Sequence, residues 1–311
     1  MYIPLHWHST FSFLEAITHP QNIVKKAKTM GLSAIAITDY NGMYGIPAFY
    51  LAAKEEGMKA VIGVELGFVL DLKGTYLGKN VGNLCLLAYA DEGYHNLMML
   101  TSFANQEWIE EKPKIDFAVL QQHSEGLMVF YGGVESRVGK MINAGETEDK
   151  ILEIHEMIQG VFGERCYFEI IAQDERLLTD LPKINQLLLH LARKTDTQCV
   201  VNNNYFYPEP KDKHTWEMAL AIKDNMKIYD DARRQPVGQY HIMTEEEIRE
   251  ICLKNGYKEE QIDEWLKNNE SIAEQVNVQL KLWQQLFPLY ESPEFVQELY
   301  EKYKDEMVVE E

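Results

Sequence analysis

The chain has 311 residues, with 30 Lys and Arg against 49 Asp and Glu, a formal net charge of −19. Hydrophobic residues at 46% and charged residues at 25% suit a globular chain with a sizeable core and exclude a disordered one. So acidic a chain should not grip duplex DNA alone, because non-specific affinity comes from Lys and Arg neutralising phosphates. No apolar run approaches the roughly 20 residues of a membrane helix. The first residues, Met-Tyr-Ile-Pro-Leu-His-Trp-His, show no secretory signal. Cys85, Cys166, Cys199 and Cys252 are scattered, with no C-x-x-C pair. A cytoplasmic location is expected.

Strand-like runs alternate with helix-period segments along most of the length. Residues 2–5 form a short strand candidate. His19-Pro20 opens an amphipathic stretch with Ile23, Val24, Ala27 and Met30 on one face, stopped by Gly31. A buried strand is expected at 33–38, a helix at 46–56, and strands at 60–70 and 84–88. A helix at 94–104, a strand at 126–131, a helix at 150–161 and a strand at 167–171 follow. Next come a helix at 181–194 and a strand at 199–203. After Tyr207 the pattern becomes helical, over 215–222, 244–254 and 259–276. Ser292-Pro293-Glu294 carries a helix-start signature, and the acidic tail beyond it reads as a charged surface helix. Strands alternating with helices imply parallel pairing, and six or seven such units predict a closed or nearly closed β/α barrel.

His6-Trp7-His8 is the first constellation with chemical meaning. On an extended strand, residues i and i+2 share a face, so both imidazoles can converge on one ion. The plainer reading is two polar histidines hydrogen-bonded at a strand end. Asp39 and Glu65 end the next two strands and would complete a hard nitrogen and oxygen site for Zn, Mn or Fe. Asp39 reads equally well as a turn residue ahead of Asn41-Gly42.

His6-Trp-His-Ser, Ile-Thr-Asp39-Tyr-Asn-Gly42-Met-Tyr-Gly45 and Gly63-Val-Glu65 resemble the opening motifs of the PHP (polymerase and histidinol phosphatase) superfamily. The closer likeness is to the PHP domain at the N-terminus of bacterial DNA polymerase III alpha subunits. Leu86-Leu-Ala88, Asp91-Glu-Gly-Tyr94-His-Asn-Leu97, Lys112-Pro-Lys-Ile-Asp116, Ser124-Glu-Gly-Leu127, Tyr167-Phe-Glu169 and Asn202-Asn-Asn204-Tyr-Phe-Tyr207-Pro carry the register onward. The resemblance implies an α/β fold: a distorted seven-stranded, TIM-like PHP barrel with extra C-terminal helices. It would span 1–280, with 281–311 starting a connector towards a polymerase core that this chain lacks.

The same resemblance implies up to three metals held by nine ligands at the rim. His6, His8 and Glu65 match, and Glu15 keeps a carboxylate where the family usually has Asp. Tyr40, Asn83, Gly133, Asn204 and Phe206 replace the remaining ligands. A two-metal or three-metal hydrolysis, needing ions roughly 3.5–4 Å apart, cannot be assembled from this set. Only the His6, His8 and Glu65 corner could hold one divalent ion, with the weak amide of Asn204 as fourth ligand. The first arginine is Arg137, so the segment bearing the surviving ligands offers a phosphate only Lys and His.

Two functions compete. In the first, the chain is a PHP domain of a polymerase III alpha subunit, serving DNA replication with a degenerate metal site. Its role would be docking on the remaining polymerase domains and on a proofreading subunit, with no DNA binding of its own and no polymerase active site. In the second, it is a metal-dependent phosphoesterase or 3′–5′ exonuclease, with one ion at His6, His8 and Glu65 and Asp39 as general base. A histidinol-phosphatase-like activity would need a full metal cluster and basic phosphate ligands, and the sequence shows neither.

Overall fold

The computed structural model describes residues 2–72, 81–106, 113–282 and 294–303. Residues 1–279 make one compact unit and 280–311 a second. In the first unit, six strands lie side by side in sequence order: β1 (Ala34–Ile37), β2 (Lys59–Phe68), β3 (Gly82–Ala88), β4 (Leu127–Tyr131), β5 (Cys166–Ile171) and β6 (Gln198–Asn202). Every residue of β1, β4 and β5 is buried. Such strands read as continuous apolar runs because both faces are covered.

The sheet is mixed, which corrects the expectation of parallel pairing throughout. The β1–β2, β4–β5 and β5–β6 pairs are parallel, whereas β3 runs antiparallel to both neighbours. Helices α1 (Pro20–Thr29) and α2 (Ile46–Glu55) flank β1 in the chain; α3 (Asp91–Gln106) and α4 (Phe117–Gln122) both follow β3. Two helical passes between β3 and β4, rather than one crossover, bring the chain back in the opposite sense. Among the described residues the regular ladder is thus a curled, six-stranded mixed sheet.

The predicted first strand, 2–5, forms no regular ladder. Pro4 has no N–H to donate, and the neighbouring Leu5 N–H is taken instead by the Asn202 side chain at 3.1 Å. The segment is nonetheless held on both sides. Ala36 N donates to Pro4 O (3.1 Å) and Thr38 N to Trp7 O (2.8 Å) next to β1, while His8 N donates to Tyr205 O (3.0 Å) beyond β6.

The remaining helices of this unit are α5 (Arg137–Asn143), α6 (Glu148–Phe162), α7 (Leu181–Thr195), α8 (Lys213–Lys223), α9 (Glu245–Lys254) and α10 (Glu259–Gln275). Two short helices, α4 and α5, escape the periodicity. Their caps explain them: Asp116 accepts from Val119 N (3.0 Å) and Ser136 Oγ from Gly139 N (3.0 Å). Helix α10 packs on β6 through the buried Asn269. Its Oδ1 accepts from Val201 N (3.1 Å), and its Nδ2 reaches Ile3 O (3.0 Å) and Asn202 Oδ1 (3.0 Å). One amide thus joins the trailing helix, the last strand and the N-terminal segment. In the second unit, helix α11 covers Glu294–Tyr303; the predicted start at Ser292-Pro293 lies outside the described residues.

Candidate metal centre

Two backbone junctions place His6, His8 and Glu65. The bond from Thr38 N to Trp7 O sets the His6-Trp7-His8 segment against the end of β1. Glu65 N donates to Asp39 O (3.1 Å) and Asn41 N to Glu65 O (2.9 Å), so Tyr40 sits beside Glu65. His6, His8 and Glu65 are all buried, and one ligand atom from each lies within 4.8 Å of the others. His6 Nε2 is 2.8 Å and His8 Nε2 3.2 Å from the same Glu65 Oε2. Those spacings are close to the roughly 3.3 Å edge of a tetrahedron around zinc with nitrogen ligands near 2.0 Å. His8 Nε2 has no other hydrogen-bond partner among the described residues and faces Glu65 alone.

A second carboxylate, unforeseen from the sequence, completes the group. Glu169 on β5 is buried and lies 2.9 Å from His6 Nδ1 through Oε1, which also accepts from Asn202 Nδ2 (3.0 Å). The other Glu65 oxygen accepts from Asn83 Nδ2 at 2.7 Å. Burial alone would lower the His6 pKa, but the charges of Glu169 and Glu65 outweigh it and raise it to about 10. Burial would raise Glu65, and the facing His6 instead holds it well below the usual carboxylate range. With its pKa so raised, His6 is an imidazolium at neutral pH that donates from Nδ1 to Glu169 and from Nε2 to Glu65. Any ion bound at His6 Nε2 would have to displace the Nε2 proton.

The other predicted residues are brought to different ends. Asp39 is buried, and its carboxylate accepts from Ser9 N (2.6 Å), Ser9 Oγ (2.6 Å) and Ser12 Oγ (2.7 Å). That arrangement pins the loop after His8. Glu15 joins neither histidine; it faces Lys223 Nζ at 2.6 Å and Arg234 Nη1 at 3.2 Å. Tyr40 and Phe206 stack on the His8 ring, with centroids at 4.2 and 4.9 Å and planes inclined by 19° and 18°. Phe206 stacks in turn on Trp216 at 5.4 Å and 8°. Burial, reinforced by the charges of Glu65 and Glu15, pushes the Tyr40 phenol well above its ordinary value, so it stays protonated. Gly133 has a φ of +69°, and a Cβ there would stand 3.0 Å from Ile171 Cγ1. Asn204 Oδ1 is buried with no hydrogen-bond partner among the described residues.

The residues that sequence reasoning missed are Glu169, Ser9, Ser12, Trp216, Lys223 and Arg234. One of them carried a usable signal. Glu169 interrupts the apolar run Cys-Tyr-Phe-Glu-Ile-Ile, and a carboxylate inside a buried strand requires a partner.

Residues 4–173 match the PHP domain family. The chain belongs to that family. Among curated proteins it is 29% identical over 298 residues to a DNA polymerase III subunit alpha from Treponema pallidum, covering 94% of this chain and 24% of that protein. It is likewise 29% identical over 299 residues to the subunit of the same name from Thermus aquaticus, again covering 94% and 24%. The chain thus spans about a quarter of the length of the curated relatives it matches. A two-domain protein from Bacteroides vulgatus, described as containing a PHP-like metal-dependent phosphoesterase, aligns over 82% of this chain and 69% of its own, with 12% identity and a TM-score of 0.42.

Proposed function

We propose that this PHP chain is a structural domain of a DNA polymerase III alpha-type protein, in which the metal cluster has given way to packing and internal ion pairs. The observation that carries this reading is the ring stack at the rim. Tyr40 and Phe206 stand where the resemblance places ligands, and both lie flat against His8, one of the three ligands that survive. Glu15 supports the same reading, because its counter-charges are the side chains of Lys223 and Arg234. The N-terminal segment, bonded to β1 on one side and to Tyr205 on the other, supports a seventh strand closing a distorted barrel. The net charge of −19 suits a scaffold that leaves nucleic acid to other domains of the protein.

The test is activity. Purified chain is incubated with Zn, Mn or Fe(II) and either a small phosphodiester or a single-stranded 3′ end. Release at the rate of a His6→Ala control is the expected result; metal-dependent turnover above it would overturn the structural reading.

One observation favours a second reading. His6 is oriented through Nδ1 by Glu169, as metal-bound histidines commonly are by a carboxylate, and its Nε2 faces Glu65 beside His8 Nε2. The residues present therefore fit one divalent ion of the Zn, Mn or Fe class, which would supply polarisation of a phosphodiester oxygen. Asp39 would not act as general base from its observed position, since both of its oxygens already accept from Ser9 and Ser12.

A further inference from the structure

The segment joining α8 to α9 is held almost entirely by side chains. No residue from 222 to 240 is buried. Among the described residues, the backbone of 227–238 forms backbone hydrogen bonds only within itself, Asp230 N to Lys227 O and Arg233 N to Asp230 O. An irregular connection of this length, without core side chains or ladder bonds, belongs to the least stable part of a fold.

Its attachments are charged side chains. Arg234 forks onto Asp224, Nε to Oδ2 at 2.5 Å and Nη2 to Oδ1 at 2.9 Å, and reaches Glu15 with Nη1. Lys223 meets the same Glu15, Arg233 Nη2 lies 3.3 Å from Glu217 Oε2, and Lys213 Nζ donates to Gly238 O at 2.9 Å. Only at its end is the segment tied by neutral bonds, where Gln239 O accepts from Asn203 Nδ2 (2.7 Å) and Phe206 N donates to Tyr240 O (2.9 Å).

These contacts carry the segment across the rim. Glu15 lies in the loop after His8, Asn203 follows β6, and Pro236 and Val237 face Val134 (after β4) and Leu177 (after β5) across a cleft of about 670 Å³. We propose that residues 227–238 form a strap over this rim, latched to the loop after His8 by the Arg234–Glu15 ion pair, with Asp224 and Lys223 at the end of α8 holding Arg234 and Glu15 in place, and released by salt. The latch charges are partly exposed, with Arg234 at 43% and Glu15 at 22% of the free side chain. Ion pairs so placed are weak and screened, which suits a catch better than a brace. Glu15, a metal-ligand position by resemblance, is thereby given a different use. The strap stands independently of whether an ion binds at His6.

Limited proteolysis of the full chain with thermolysin, which cuts beside apolar residues such as Ile228 and Val237, tests it. A free peptide of 227–238 corrects for the effect of salt on the protease. Arg234→Met and Glu15→Gln should each speed cleavage within 227–238 roughly threefold to tenfold at low salt. High salt should speed it comparably in the unmodified chain and little in either variant. Cleavage unchanged in both variants, or unaffected by salt in the unmodified chain, overturns the strap. So does cleavage that appears at the same rate within β4–β6, because the ion pairs would then support the whole fold.

Discussion

His6 bridges two carboxylates: Nδ1 lies 2.9 Å from Glu169 and Nε2 2.8 Å from Glu65, across 163 and 59 residues of sequence. One ring thereby joins the N-terminal segment to β5 and to β2. Replacing Glu169 by Gln should remove one of the two charges that raise the His6 pKa. The His6 imidazole resonance should then titrate at least about one unit lower, and the chain should lose on the order of 3 kcal/mol, the cost of breaking a buried pair. NMR titration and chemical denaturation read the two effects separately.

The pair also sets a pH window for stability. The folded His6 pKa is raised to about 10, so its contribution is complete below the unfolded value near 6.5 and is lost as pH rises towards 10. The folded Glu65 pKa is depressed, so its contribution is present above the unfolded value near 4.3 and is lost as pH falls. Stability should therefore be greatest between about pH 4.5 and 6.5 and decline on the alkaline side by up to about 1.4 kcal/mol per unit. Denaturation from about pH 6 to about pH 10 in chelator should show the alkaline decline, and His6→Gln should flatten it.

Restoring a ligand at position 133 should fail for backbone reasons. Gly133 holds φ at +69°, which costs an L residue about 1–2 kcal/mol, and a Cβ would press on Ile171. Gly133→His should lower stability by at least that amount in a melt and bring no gain in zinc binding by calorimetry.

Phe206 belongs to the core as much as to the rim, stacked on Trp216 and only 9% exposed. Phe206→Ala should cost about 3–5 kcal/mol in urea unfolding. If Phe206→His were nearly neutral instead, the stack would not be holding the rim.

Asn269 tests whether the trailing helices belong to the fold. Asn269→Ala leaves Val201 N and Ile3 O without their side-chain partner in a dry setting. A loss of at least about 2 kcal/mol is expected, read by the same unfolding curves.

The sequence made the helices and strands legible wherever a period ran for several turns, as in α6, α7 and β5. Strand direction was not legible, because an apolar run has the same composition whichever way it enters the sheet; β3 is the example. His6, His8 and Glu65 could be found from alternation and from the family resemblance, although Glu65 lies within β2 rather than at its end. Glu169 could not, since it meets His6 only through a tertiary contact, and Trp216 and Arg234 likewise reach Phe206 and Glu15 only in the folded chain. The buried glutamate in β5 was the one local hint. Short α4 and α5 depend on single caps at Asp116 and Ser136, a signal too brief for periodicity to register.

The central claim, that ring packing and internal ion pairs have replaced the metal cluster, is most directly tested by counting ions. The chain is loaded with excess Zn or Mn, desalted, and measured by plasma mass spectrometry beside His6→Ala. Less than about one tenth of an equivalent, equal in both proteins, is the predicted result, because both His6 nitrogens already face carboxylates and Tyr40 and Phe206 stack on the His8 ring. One full equivalent retained by the unmodified chain and lost in His6→Ala would contradict it.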